Sequence, residues 1–431
     1  MRNLLLVAVA VLVALSGCLS GSSNDPASSD GKTTLPADPY QAVRAAMNGV
    51  PCEATVGEGT SANLLQLTNV SFEEGGVGDI AIAGNLLAST RSIHDISDPL
   101  DPVLLADLVP MELAGGGDVK FLSDNQTLVM GGGSVILMDI RDPTQPVIED
   151  EWTFEEFTGV NLPGGSLFLN AHMLATARIN DKDWIFLAPN SNSGVWILEV
   201  VGEPGSRQIQ YVTQTLPVEG GPLGPHDMSV AQDEFTGQWL LYSADGFHGW
   251  TVFDLADPAH PLPIGGLVAP QTGYTHTIQA ARIGERRIVA TIQEVGENIL
   301  SVYDATILQA PVLIATWQVQ TGATTPQHNL NIVDGRLYVA HYGYGMYVFD
   351  LADAGSLPLL GTTTLQPVAH FDPTPGGTAF VAGIGGFESV YDVVLKDGVL
   401  YVGGFSEPAL GLYVLGYGCL TPGDSEQTST N

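Results

Sequence analysis

Apolar residues fall along this chain in short bursts. One continuous run, Leu4 to Leu15, opens it, and a stretch dominated by Ser, Gly, Asp, Asn, Thr and Pro follows to Pro36. From about residue 63, short apolar segments alternate with Gly, Pro, Asp and Asn. No long segment keeps the 3.6-residue period of an amphipathic helix, so the pattern predicts strands separated by turns. One unit recurs: an apolar strand, an Asp, a Pro-containing turn and a second apolar strand. It reads Ile93-His94-Asp95-Ile96-Ser97-Asp98-Pro99, then Val135-Ile136-Leu137-Met138-Asp139-Ile140-Arg141-Asp142-Pro143, then Val252-Phe253-Asp254-Leu255-Ala256-Asp257-Pro258. Weaker copies end at Asp304 and Asp350, the latter with Pro358-Leu359-Leu360 as its outer strand. Degenerate copies end at Glu199 and Leu415.

The anchors at 95, 139, 199, 254, 304, 350 and 415 are spaced by 44, 60, 55, 50, 46 and 65 residues. That spacing suits one four-stranded unit with variable loops, and seven such units predict an all-β, seven-bladed β-propeller over residues 51–420. The last copy stops at its third strand, near Cys419. The segment Asn63-Leu64-Leu65-Gln66-Leu67 is a spare strand ahead of the first copy. Placed beside the last copy, this N-terminal strand completes the final blade and leaves no open edge. The same closure brings Cys52 near Cys419. A β-sandwich or two smaller β domains is the competing architecture.

The unit resembles the LVIVD repeat of secreted and surface proteins, whose form is strand, Gly, strand, Asp-Ile-Ser-Asp-Pro-x-x-Pro, strand. The copies at Asp95, Asp139 and Asp254 carry the likeness best. The resemblance implies a propeller outside the cytoplasm and no particular reaction. The N-terminus carries a second resemblance. Its apolar run is too short to span a bilayer and fits a signal peptide. It ends in Leu15-Ser16-Gly17-Cys18, which resembles the lipobox of bacterial and archaeal lipoproteins. That implies a signal peptide over 1–17, a lipid on Cys18, a flexible tether over 18–50 and attachment to the membrane of the cell envelope. With Cys18 assigned, Cys52 and Cys419 are left to form a disulfide in an oxidising compartment or to stay as two buried thiols. Residues 421–431 are polar and predict a disordered tail.

Charge narrows the partners. The formal net charge is −33, because 14 Lys and Arg face 47 Asp and Glu, although charged residues make up only 14%. Nucleic acid needs clustered bases, which this chain lacks. No Gly-rich phosphate loop lies between a strand and a helix, and no nucleophile elbow is present. Each anchor Asp is best explained as an acceptor for backbone N–H groups in its own turn, since Ca²⁺ loops place several oxygen ligands at alternate positions.

The histidines are unevenly distributed. Aligned at the starts of the first strands, the fourth to sixth blades begin with His226, His276 and His328, and the third carries His172 one place later. These residues share one face with His248 and His341, which sit in loops between strands two and three. His370 falls in an insertion after the sixth blade's outer strand. His94 and His260 map to the opposite face. Two readings follow. In one, the histidines cap strand starts and bond a neighbouring blade. In the other, His172, His226, His276 and His328 converge on a transition metal, with Asp79, Asp118, Asp227 and Asp392 orienting or joining them. The chain thus reads as a lipid-anchored extracytoplasmic propeller that binds or scaffolds an unspecified protein or small molecule. The alternatives are a metal-dependent enzyme, for instance an oxidoreductase, and a purely structural envelope protein.

Overall fold

The computed structural model describes residues 38–52, 62–72, 76–111, 117–153, 170–189, 193–216, 224–268, 273–294, 296–319, 327–355, 361–373, 390–404 and 411–423. The signal peptide, Cys18 and most of the expected tether lie outside these residues.

Seven small sheets form a seven-bladed β-propeller, each with four antiparallel strands and one of them, blade five, with a short fifth strand added in parallel. The first strands of blades one to seven are Ile80–Ala83, Val119–Phe121, Met173–Ile179, Asp227–Gln232, Thr275–Ile283, Leu330–Val333 and Val390–Lys396. Leu64–Val70 pairs antiparallel with Gly411–Tyr417, with Leu65 opposite Gly416 and Asn69 opposite Tyr413. The N-terminal strand therefore completes the last blade, as its position ahead of the first repeat predicts. Cys52 and Cys419 form a disulfide at this seam, with Cα atoms 4.9 Å apart.

The recurring Asp has a local cause. Asp95, Asp139, Asp254, Asp304 and Asp350 each accept the backbone N–H two residues on, at 2.8–2.9 Å. Asp98, Asp142 and Asp257 do the same in the following turn. Such Asx turns satisfy backbone donors that the strand ladder leaves behind, which is why the repeat is legible at this position. Glu199, one methylene longer, bonds Lys182 instead.

Apolar faces of adjacent blades pack against one another. Val129, Leu137 and Trp152 of blade two meet Leu174, Ile185 and Trp196 of blade three, with the two indoles edge to face at 5.8 Å. Each such side chain contributes about 1.5–3 kcal/mol on burial, so the ring is held by its blade-to-blade seams.

Three parts of the chain depart from the sequence expectation. Tyr40–Ala46, expected to be tether, is a helix whose Val43 and Met47 are buried against the last blade. Tyr40 Oη donates to Asp397, and Arg44 donates to the Pro422 carbonyl at 2.9 Å. Met47 packs directly on the backbone of Gly416, where a Cβ would meet its Sδ. The start of the expected tail is likewise fixed, with the Gly423 N–H donating to the Asp397 carbonyl. The outer strand of blade six is Pro367–Phe371, and Pro358–Leu360 lies outside the described residues. The chain first runs parallel to the outer strand of blade five at Thr363–Thr364, then returns to complete blade six.

Candidate axial site

In every blade the first strand lines the axis, so the residue that opens it projects toward the channel mouth. Ladder-like bonds continue ahead of the strand at His226, one residue before it, and at His328, two residues before it, whose N–H groups donate to the Ala244 and Ala340 carbonyls. His276 sits at a register shift between Thr275 and Thr277, and Tyr391 at the corresponding shift between Val390 and Asp392. A bulge releases one residue from the pleat and re-aims its side chain.

These positions build an arc of rings across blades three to seven. His172 Nε2 and His226 Nε2 are 3.0 Å apart. Ring centroids are separated by 4.1 Å for His226 and His276, 4.7 Å for His276 and His328, and 3.7 Å for His328 and Tyr391. Glu294 follows the second strand of blade five, Arg286–Gln293, and closes the arc from above. Its Oε2 lies 3.4 Å from His276 Nε2 and 3.9 Å from His226 Nε2, and its Oε1 accepts from Tyr342 Oη at 3.1 Å. Ligand atoms of His226, His276 and Glu294 all lie within 4.8 Å of one another.

Burial removes the imidazoles from water and disfavours their charged form. It lowers His172 to about 4 and holds His226 and His328 well below the usual histidine value, with neighbouring imidazoles adding to the effect. His276, with no exposed surface, is lowered by the same desolvation. At neutral pH the arc is therefore a set of neutral imidazoles, the form that coordinates metals.

The aspartates do a different job from the one the sequence offered them. Asp118 accepts the N–H groups of Val119 and Leu174, each at 2.7 Å, joining blades two and three. Asp392 accepts the Ile80 N–H, joining blades seven and one. Asn329 donates across the axis to Asp79 at 3.1 Å. Lys120 Nζ lies 2.7 Å from Asp118 and 3.2 Å from Asp79. Burial opposes the lysine's charge, but Asp79, Asp392 and Asp227 hold its pKa above the ordinary value. Burial raises Asp227 to about 7 and pushes Asp392 well up. This belt staples first strands together and lines an axial channel of about 1040 Å³ that runs to the strand one–two hairpins.

The remaining histidines are scattered. His341 packs among Trp317, Tyr344 and Tyr347. His370 lies in the outer strand of blade six rather than in an insertion; it stacks on Tyr347 and shares a 2.7 Å hydrogen bond with the Tyr344 carbonyl. His94 is buried beside Phe72, and His260 is exposed with Asp257. Sequence reasoning missed Glu294 and Lys120. Glu294 occupies the same kind of inter-strand loop as His248 and His341, so extending the search of that face from histidines to carboxylates would have found it.

No protein-family model and no curated protein matches the chain. Among solved structures, the chain is similar to Raptor from Chaetomium thermophilum, at 10% identity and a TM-score of 0.51 over 82% of this chain and 28% of Raptor. It is also similar to a putative 6-phosphogluconolactonase from Bacteroides fragilis, at 11% identity and a TM-score of 0.49 over 67% of this chain and 82% of that one. A third likeness is to a putative 6-phosphogluconolactonase from Bacteroides uniformis, at 13% identity and a TM-score of 0.47 over 65% and 76%. The likeness to Raptor speaks to fold alone.

Proposed function

We propose that this chain is an extracytoplasmic propeller, anchored by a lipid on Cys18, that binds its ligand at the propeller axis. The Cys52–Cys419 bond carries the reading of location: a disulfide that seals the ring persists in an oxidising compartment. The lipobox-like Leu15-Ser16-Gly17-Cys18 and the LVIVD-like repeats point the same way. The axial channel and the ring arc above it supply a concave, polar-lined place for a ligand. The convergence of His226, His276 and Glu294 favours a second reading, a metal-dependent enzyme using this axial site. Mass spectrometry of the protein from membranes tests anchoring and location together. The expected result is a chain starting at lipid-modified Cys18, with Cys52 and Cys419 peptides linked. Cys18→Ser should release the chain or leave the signal peptide attached. Unchanged membrane association with normal processing would refute the anchor.

A further inference from the structure

We propose that His226, His276 and Glu294 hold one divalent transition-metal ion at the propeller axis, with His172 as the next donor. This goes beyond the reading above and assumes nothing about Cys18.

The hydrogen-bond network fixes which nitrogen is free. Thr277 has one hydroxyl proton, and its Oγ1 donates it to the His328 carbonyl at 2.8 Å. The 2.7 Å contact between Thr277 Oγ1 and His276 Nδ1 must therefore be donated by the imidazole. With Nδ1 protonated, His276 Nε2 presents a lone pair. That nitrogen is fully buried and has no hydrogen-bond partner. It points at a Glu294 oxygen 3.4 Å away, too far for the short charge-assisted bond a shared proton would make. Two lone pairs face each other across a gap that a cation would fill.

The spacing suits a metal. Donors held about 2.0–2.1 Å from a tetrahedral ion lie about 3.4 Å apart. Here the successive separations are 3.0 Å from His172 to His226, 3.9 Å from His226 to Glu294 and 3.4 Å from Glu294 to His276. The outer contacts are those of ligands held in orientation: Thr277 on His276 Nδ1 and Tyr342 on Glu294 Oε1. Imidazole nitrogens with a single carboxylate select zinc, iron, copper or nickel over calcium and magnesium, which take oxygen ligands. The ligands come from blades three, four and five, so no linear spacing motif announces the site.

The test uses the full-length chain, stripped with a chelator, dialysed and titrated with Zn²⁺, with Co²⁺ as the spectroscopic probe. One ion per chain should bind, and Co²⁺ should give visible d–d bands of a low-coordinate nitrogen and oxygen site. His276→Ala and Glu294→Gln should each weaken binding by more than about 100-fold, and Thr277→Val by about 10–100-fold, the scale for outer contacts. His260→Ala, an exposed histidine on the other face, should change nothing. Glu294→Gln is nearly isosteric and partly exposed, so it serves where His276→Ala fails to fold. Failure of the wild type to take up a stoichiometric ion, or wild-type affinity and an unchanged Co²⁺ spectrum in Glu294→Gln, overturns the proposal. Neither result bears on the lipid on Cys18 or on the disulfide.

Discussion

Lys120→Met removes the only cation bonded to the carboxylates of the belt among the described residues. Asp118 and Asp79 are essentially without exposed surface, and the lysine side chain is 18% exposed. Two charge-assisted hydrogen bonds disappear, at about 1.5–3 kcal/mol each. Removing one partner from a buried ion pair costs about 3–5 kcal/mol, because the charge left behind stays buried. The channel wall admits some water to Nζ, so the low end applies and the loss should be about 3 kcal/mol. That corresponds to a fall of about 5 °C in melting temperature for a chain of this size. Denaturant and thermal melts at neutral pH read it directly. The cause is separable from lost packing. Asp79→Asn in the Lys120→Met background keeps an oxygen to accept the Asn329 amide, leaves both N–H bonds to Asp118 in place and removes one of the two stranded charges, so it should recover part of the loss. A Lys120→Met chain within about 0.5 kcal/mol of wild type, which is the range of ordinary surface substitutions, would refute the view that the belt needs its cation. So would failure of Asp79→Asn to restore any of it.

Two further outcomes follow from the same geometry. His94 is buried with Nε2 unpartnered, and desolvation lowers its pKa from 6.5 to about 4. A group whose folded pKa is depressed in this sense must be charged in the unfolded state first, so stability falls as pH drops from about 6.5 to 4. The loss is about 3 kcal/mol at 1.36 kcal/mol per unit. His94→Leu should reduce the acid limb by that amount in denaturation measured across pH, leaving the share of the other buried histidines, and an undiminished limb would refute the assignment to His94. Gly416→Val would drive a side chain into Met47, which should cost about 1–3 kcal/mol and expose the Tyr40–Ala46 helix to limited proteolysis. Met47→Ala in the same chain should restore protection, and no gain from that second change would count against the contact.

The ring, its seven blades and its closure were legible because a backbone requirement repeats them. Each blade must satisfy the N–H groups of its third-strand turn, and Asp does so at the same place five times. The histidines were legible as a set for a related reason, since equivalent positions in adjacent blades meet at the axis. What stayed hidden depends on contacts across blades with no repeat to mark them. Glu294 follows its second strand as Asp245 and His341 follow theirs, but Asp245 accepts from Ser243 and Thr251 instead of facing the histidines, so the position alone does not mark the site. The helix at Tyr40–Ala46 is one short amphipathic turn and a half, readable only once Gly416 is seen to make room for Met47. Blade six's outer strand falls later than expected because Thr363–Thr364 pairs with blade five before Pro367–Phe371 reaches blade six.

The charge balance takes on a different meaning in the structure. Read along the chain, 14 bases against 47 acids look like a plain deficit. In the fold, several of the few bases stand where a carboxylate has lost its water. Arg287 grips Asp233 with both side chains buried, through Nε at 2.9 Å and Nη2 at 2.8 Å. Arg207 reaches Asp124 at 2.8 Å, Arg286 reaches Asp304 at 3.2 Å, and Lys120 serves two carboxylates at once. Exposed acids need no such partner, because solvent screens them and surface pairs contribute little. The negative charge is thus carried by carboxylates that water already stabilises. Among the described residues no arginine or lysine contacts Glu294, which Tyr342 and two imidazoles face. A metal cation at that point would supply the countercharge that Arg287, Arg207 and Lys120 supply to their carboxylates.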